Sequence, residues 1–199
     1  MKNTMIFLVL LLCICTLTAT KTHYPRFAAQ TGISWSTFGK DSTDDTEYVM
    51  GYHIGGSYIS DIPVPYLLVE PGIRLTINKG ASKDLNGVEF STHLSYLNIL
   101  TKTKWDTGNL NIYPYIGLDM GILLSAENRI AGNGHKIVYD IKDDTSSIDF
   151  TFLYGLDYVI WNNISMGCEI GVGLSNVAKD TDYKIINRTI YINIGYLFQ

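Results

Sequence analysis

The final stretch of the chain, 186–198 (INRTIYINIGYLF), limits what the whole can fold into more than any other. Ile186, Ile190, Ile192, Ile194, Tyr196 and Phe198 share one parity, broken only by Arg188, while Asn187, Thr189, Tyr191, Asn193 and Gly195 take the other. A period of two with one apolar face predicts a strand. At about 13 residues it exceeds the usual five or six of a globular strand. It suits instead a tilted strand of roughly 9 to 11 residues crossing a lipid bilayer, plus its ends. An apolar face backed by a small, polar one fits lipid outside and a hydrogen-bonded lumen inside.

The same pattern recurs upstream. Phe27, Ala29, Thr31, Ile33 and Trp35 alternate with small residues, as do Tyr48, Met50, Tyr52 and Ile54 after a polar acidic loop at 40–46. A third strand carries Leu67, Val69, Pro71, Ile73, Leu75 and Ile77 on one face, and Pro71, which cannot donate to a ladder, predicts a bulge there. Residues 78–87 read as loop. The fourth strand, near 88–102, is irregular: Phe90, Leu94 and Tyr96 share a parity, Leu97 and Ile99 take the other, and a bulge near Tyr96 would reconcile them. The fifth is the most regular, from Leu110 through Ile112, Pro114, Ile116, Leu118, Met120 and Ile122 to Leu124 with no charge on that face. The polar segment 127–147 reads as the longest exposed loop. A sixth strand follows with Ile148, Phe150, Phe152, Tyr154, Leu156 and Tyr158, and a seventh with Ile164, Met166, Cys168, Ile170 and Val172.

The fold class expected is therefore all-β: an eight-stranded antiparallel up-and-down transmembrane β-barrel. The turns after even strands are short and most loops after odd strands are longer, as in bacterial barrels with periplasmic turns and outer loops. Two aromatic girdles are expected, Trp105, Tyr158, Trp161, Tyr196 and Phe198 at the rim with the termini, and Trp35, Phe38, Tyr48, Phe90 and Phe150 at the other.

The start of the chain reads differently. Lys2, an apolar run from Met5 to about Leu17 and the small residues around Thr20 form a signal-peptide pattern over 1–20, too short for a spanning helix. The remainder, 21–199, is one domain. Only Cys168 lies beyond the signal segment, which excludes a disulfide-stapled scaffold. Charged residues are 17% and the net charge is −4, so there is no basic footprint for nucleic acid.

Several stretches resemble a known family, the PorT-like outer-membrane β-barrel domains of Bacteroidota. YLNIL at 96–100, YPYIGLDMGILLSA at 113–126, GLSNV at 173–177 and GYLF at 195–198 carry the resemblance, with Asn98 and Leu100 standing where the family pattern often has Glu and Pro. The penultimate aromatic, Phe198, is also similar to the terminal signal of bacterial outer-membrane barrels. The resemblance implies the same fold and localisation in a Gram-negative outer membrane. Some relatives serve a secretion system, but fold analogy does not transfer function.

By alternation alone, His53, Glu70, Arg74, Asp119, Asp157 and Glu169 face inward, with Glu89 and His93 as further candidates. An eight-stranded barrel is just wide enough for side chains to fill. Glu70, Arg74, Asp119, Asp157 and Glu169 are thus expected to form a lumen polar network rather than line a pore, with Arg74 answering Glu70 or Asp119. The rival reading is proton transfer or ligand binding among surplus carboxylates.

His93 and Ser95 suggest a hydrolase pair, but nucleophilic catalysis also needs an orienting group and access to substrate. The acidic loop with Asp41, Asp44, Asp45 and Glu47 would suit Ca²⁺, yet lacks EF-hand spacing. No catalytic, cofactor or metal site is expected.

The expected role is structural or interactive, through outer loops, with outer-membrane lipid, lipopolysaccharide or a protein partner, and as a monomer. The alternatives are a soluble lipocalin-like carrier, whose apolar faces would point inward, and an outer-membrane lipid-modifying enzyme.

Overall fold

The computed structural model describes residues 26–40, 46–62, 64–107, 111–132, 135–161, 163–179 and 184–198. The signal peptide expected at 1–20, the acidic loop 41–45 and the Trp161 side chain lie outside the described residues.

Among the described residues nine strands form, β1 (Arg26–Lys40), β2 (Glu47–Asp61), β3 (Leu67–Leu85), β4 (Val88–Trp105), β5 (Ile112–Gly132), β6 (His135–Asp140), β7 (Ile148–Trp161), β8 (Ile164–Gly173) and β9 (Ile185–Phe198). All pair antiparallel, and eight of them close a ring in which β6 takes no part. The final strand seals the ring against the first, in register from Phe27–Phe198 to Lys40–Ile185. A closed ring leaves no unpaired edge, the condition for a sheet to stand in lipid.

Alternation then decides what faces each medium. Met50, Tyr52, Ile54, Ile73, Ile116, Leu118, Ile192 and Ile194 are exposed on the outside, whereas Ser34, His53, Arg74, Asp119 and Glu169 are buried within. The apolar faces point outward, the reverse of a lipocalin-like carrier.

The strands run further than their apolar pattern. Residues 78–85, read as loop, continue β3 to a two-residue Asn86-Gly87 turn with positive φ at both positions, the geometry that a tight hairpin requires. Likewise 127–140, read as exposed loop, is mostly hairpin: β5 extends to Gly132 and β6 pairs back on it. Beyond the apolar belt apolar and polar residues no longer alternate, as in Ile137, Val138 and Tyr139 in a row, so the periodic signal is lost although the ladder persists.

Two irregularities set the parity. Between Thr76 and Lys79 the β3–β4 register shifts and Asn78 adopts a φ of 60°, which turns Lys79 inward. The shift expected near Tyr96 occurs between Ser95 and Tyr96 in the β4–β5 register, but β5 carries the extra residue, Leu124. Consequently β4 keeps one parity, and Leu94 and Tyr96 point inward with Asn98, Leu100, Lys102 and Lys104. At Pro71 no bulge forms: the β2–β3 ladder skips the pairs there and resumes in the same register at Ser60–Val69. Proline removes a donor without displacing the strand.

Of the expected girdles, Trp105, Tyr158, Tyr196 and Phe198 are exposed at the end holding the termini and Tyr48 and Phe90 at the other, while Phe38 packs inward.

Candidate functional site

The interior is a stack of charged layers. Nearest the termini, Lys104 on β4 bridges Glu70 on β3 and Asp157 on β7, the latter at 2.6 Å, and Ser57 donates to Glu70 at 2.6 Å. Above it Glu169 on β8 is fully buried and accepts from Arg74 at 2.6 Å and from Tyr115 Oη at 2.9 Å, with Lys102 Nζ at 2.8 Å.

Arg74 reaches across the lumen. Its second nitrogen donates to Asp119 at 2.7 Å, and Asp119 also accepts from Asn98, which in turn accepts from Thr76. The guanidinium lies 4.3 Å from the Tyr191 ring centre, a cation–π contact. The next layer joins Lys79 to Asp149 at 3.1 Å, with Asn187 and Ser175 donating to the same carboxylate.

Glycine makes room for this. A Cβ on Gly155 would fall 2.7 Å from the Tyr115 hydroxyl, and one on Gly121 would fall 3.0 Å from the Tyr96 ring. Small residues opposite large ones let a narrow lumen fill completely.

At the end away from the termini the polar stack gives way to an apolar cap. Leu94, Tyr96, Leu123, Ala126 and Val177 pack together, backed by Phe38, Ile141 and Ile185. The connections on either side of β7 and β8 hold it down, with Ser146 N–H donating to Val177 O at 2.7 Å and Lys179 N–H to Asp144 O at 2.9 Å.

The expected network residues are therefore all inside, and of the two partners expected for Arg74 the structure has Asp119 and not Glu70. Arg74 meets Asp119 and Glu169, whereas Glu70 and Asp157 are joined by Lys104. Five carboxylates face four cations within these layers, since Lys79, Lys102 and Lys104 all point inward. The surplus of carboxylates is largely answered. Lys102 and Lys104 share the parity of Asn98 and were open to the same alternation argument; Lys79 was hidden by the bulge at Asn78.

Glu89 is exposed near the β3–β4 turn, and His93 and Ser95 occupy the face of β4 opposite Leu94 and Tyr96 rather than the lumen. His93 Nε2 lies 3.1 Å from Ser91 Oγ, but its Nδ1 has no hydrogen-bond partner among the described residues. Among the described residues no carboxylate hydrogen-bonds to the ring, as a triad would require. Among the described residues no group of three or more metal-ligating side chains converges.

The sequence matches the family described as outer membrane protein beta-barrel domain over residues 6–198. No curated protein sequence matches it. The fold is similar to that of Ail, the attachment invasion locus protein of Yersinia pestis, with a TM-score of 0.54 at 12% identity over 88% of this chain and 100% of that one. It is also similar to Neisserial surface protein A, with a TM-score of 0.53 at 11% identity over 86% and 97%. At such identities the likeness is one of fold. Taken with the outward apolar faces and the sealed ring, the family match makes this chain a member of the outer membrane protein β-barrel domain family, spanning the Gram-negative outer membrane as a multi-pass barrel.

Proposed function

We propose that this protein is a structural or interaction protein of the outer membrane, a barrel with no through-channel that works by presenting its outer end to lipopolysaccharide or to a protein partner. One observation carries the reading: charged layers bridge the lumen from wall to wall and an apolar cap lies over them. A filled interior leaves the outside as the working surface. The segments similar to PorT-like domains, 96–100 and 113–126, favour that branch of the family.

The outer end has a distinctive surface. Among the described residues β6 pairs only with β5, and all six of its residues are exposed, including Ile137, Val138 and Tyr139 in a row. A short apolar strand with one open edge, standing clear of the bilayer, is the kind of surface to which a partner adds a strand or an apolar face. Ail has been captured with sucrose octasulfate, a heparin analogue. Lipopolysaccharide is likewise an anionic carbohydrate, and Lys136 on β6 offers a cation to it.

Two measurements test the reading. In planar bilayers the purified protein is expected to give no stable conductance steps; regular single-channel steps would refute the closed lumen. A pull-down from detergent-solubilised membranes is expected to recover a partner or bound lipopolysaccharide with the wild type and to lose it with I137S/V138S/Y139S. That variant should keep heat-modifiable gel mobility, and undiminished capture by it would move the contact surface elsewhere.

A further inference from the structure

The geometry points to a binding cup at the outer end of the barrel, seated on the apolar cap, that takes a small, uncharged, ring-bearing molecule from the medium outside the cell. This goes beyond the surface role proposed above and holds whether or not a partner also meets β6.

The cup is built from strand ends that run past the closed ring. Beyond the cap, β3, β4, β5 and β6 stay paired as a four-stranded wall whose ladder sets side chains in rows. Lys79, Leu94 and Ala126 form the row at cap level. Two residues further out, Ala81, Thr92, Asn128 and Tyr139 form a second, and beyond it Lys83, Phe90, Ile130 and Ile137 form a third. Residues of one parity share a face of a sheet, so both outer rows look in over the cap.

The other face of the wall carries Ser91, His93, Glu127, Arg129, Lys136 and Asp140, with Val138 as its one large apolar residue among those described. The sidedness is partial, because Lys83, Thr92 and Asn128 share the inner face, and so no alternation is legible in the residue order. Its sense is nevertheless opposite to that of the belt below. There the large apolar side chains face out, and here most face in.

Against that inner face lies a cavity of about 390 Å³. Phe90, Ile130 and Tyr139 bound it on the wall side, while Phe38 and Ile141 tie it to the cap on which both pack. Phe90 is 40% exposed and Tyr139 50%. Apolar rings left open to water beyond the membrane belt mark a binding surface, and a molecule seated among them removes their area from water. The polar outer face of the wall sets the cup apart from the bilayer, so its ligand arrives from the medium.

Size and polarity narrow what fits. An apolar cavity of about 150 Å³ takes one benzene, so this one has room for roughly two rings and a substituent. Phe38, Phe90 and Tyr139 offer faces and edges to such rings. One polar group is fixed at the wall: Thr92 Oγ1 donates to Asn128 Oδ1 at 2.7 Å. With its oxygen engaged, Asn128 offers a ligand its amide nitrogen, a donor that suits a hydroxyl or carbonyl oxygen. Of the two cations that border the cavity, Arg129 is held by Glu127 at 3.1 Å and Lys83 is not free, so neither calls for an anion. A mostly apolar hollow with a few placed polar groups is the usual make-up of a small-molecule site.

2-Naphthol tests this in the full chain folded in detergent micelles, with the isoleucine methyl groups followed by NMR. Saturable shifts are expected at Ile130 and Ile141, and only linear, unsaturating ones at the lipid-facing Ile116 and Ile192, which meet probe dissolved in the detergent. Asn128→Leu is expected to weaken the saturable binding roughly fivefold, the worth of one hydrogen bond. Ala81→Trp, which fills the cup beside Thr92, is expected to abolish it, with heat-modifiable gel mobility showing that each variant is folded. Saturable binding that survives A81W, or that N128L leaves unchanged, would overturn the cup. So would the lack of a saturable response at Ile130 and Ile141 in the wild type, which decides the matter even if neither variant folds. None of these outcomes bears on conductance or on the β6 pull-down, so the cup and the surface role fail separately.

Discussion

Replacing Arg74 with methionine is expected to destabilise the barrel by about 3–5 kcal/mol, the usual cost of removing one partner from a buried ion pair. The loss comes less from the missing attraction than from what remains. Glu169 keeps Lys102 and the Tyr115 hydroxyl, but Asp119 is left, among the described residues, with the Asn98 amide alone. The two carboxylates should therefore respond differently to a second change. R74M/D119N neutralises the more poorly served group and should recover at least half of the loss. R74M/E169Q takes the counter-charge from Lys102, which is itself buried, and should recover little or lose more. Urea unfolding in lipid vesicles, followed by gel mobility, measures all three. A single variant within about 1 kcal/mol of wild type, or equal rescue by the two second changes, would mean that Arg74 does not tie the walls together as its geometry indicates.

This network was partly readable from residue order because alternation reports facing without reporting partners. Glu70, Arg74, Asp119, Asp157 and Glu169 share the inward parity of long, unbroken strands. Which cation meets which carboxylate depends on strand stagger, and residue order does not contain it. Lys104 reaches both Glu70 and Asp157 because β4 lies between β3 and β5, and β7 follows round the ring. Two other features defeated the pattern for physical reasons. Leu94 and Tyr96 are apolar residues facing inward at the one level where the lumen needs an oily seal, so they read as lipid-facing. The ends of β3 and β5 run on past the apolar belt, and β6 is exposed on both faces, so no inside-outside contrast forces an alternation on them.

Leu118→Arg on the outer face of β5 is expected to cost roughly 2–4 kcal/mol in a bilayer, the penalty for a cation on the lipid side of a barrel near its midplane. Leu118 is 53% exposed and stands between Ile116 and Met120, well away from either rim. Ile137 on β6 is nearly as open, at 49%, yet Ile137→Arg should change stability by no more than about 0.5 kcal/mol, as at any watery surface. Exposure by itself treats the two positions alike. The difference arises only if the medium around Leu118 is hydrocarbon and that around Ile137 is water. Unfolding both variants in vesicles isolates that contrast from any loss of packing, since neither side chain is buried in protein. Equal, small effects at both positions would show that the apolar belt does not face lipid. A large loss at Leu118 alone places the bilayer around the ring and β6 beyond it, where a partner outside the cell can reach the strand.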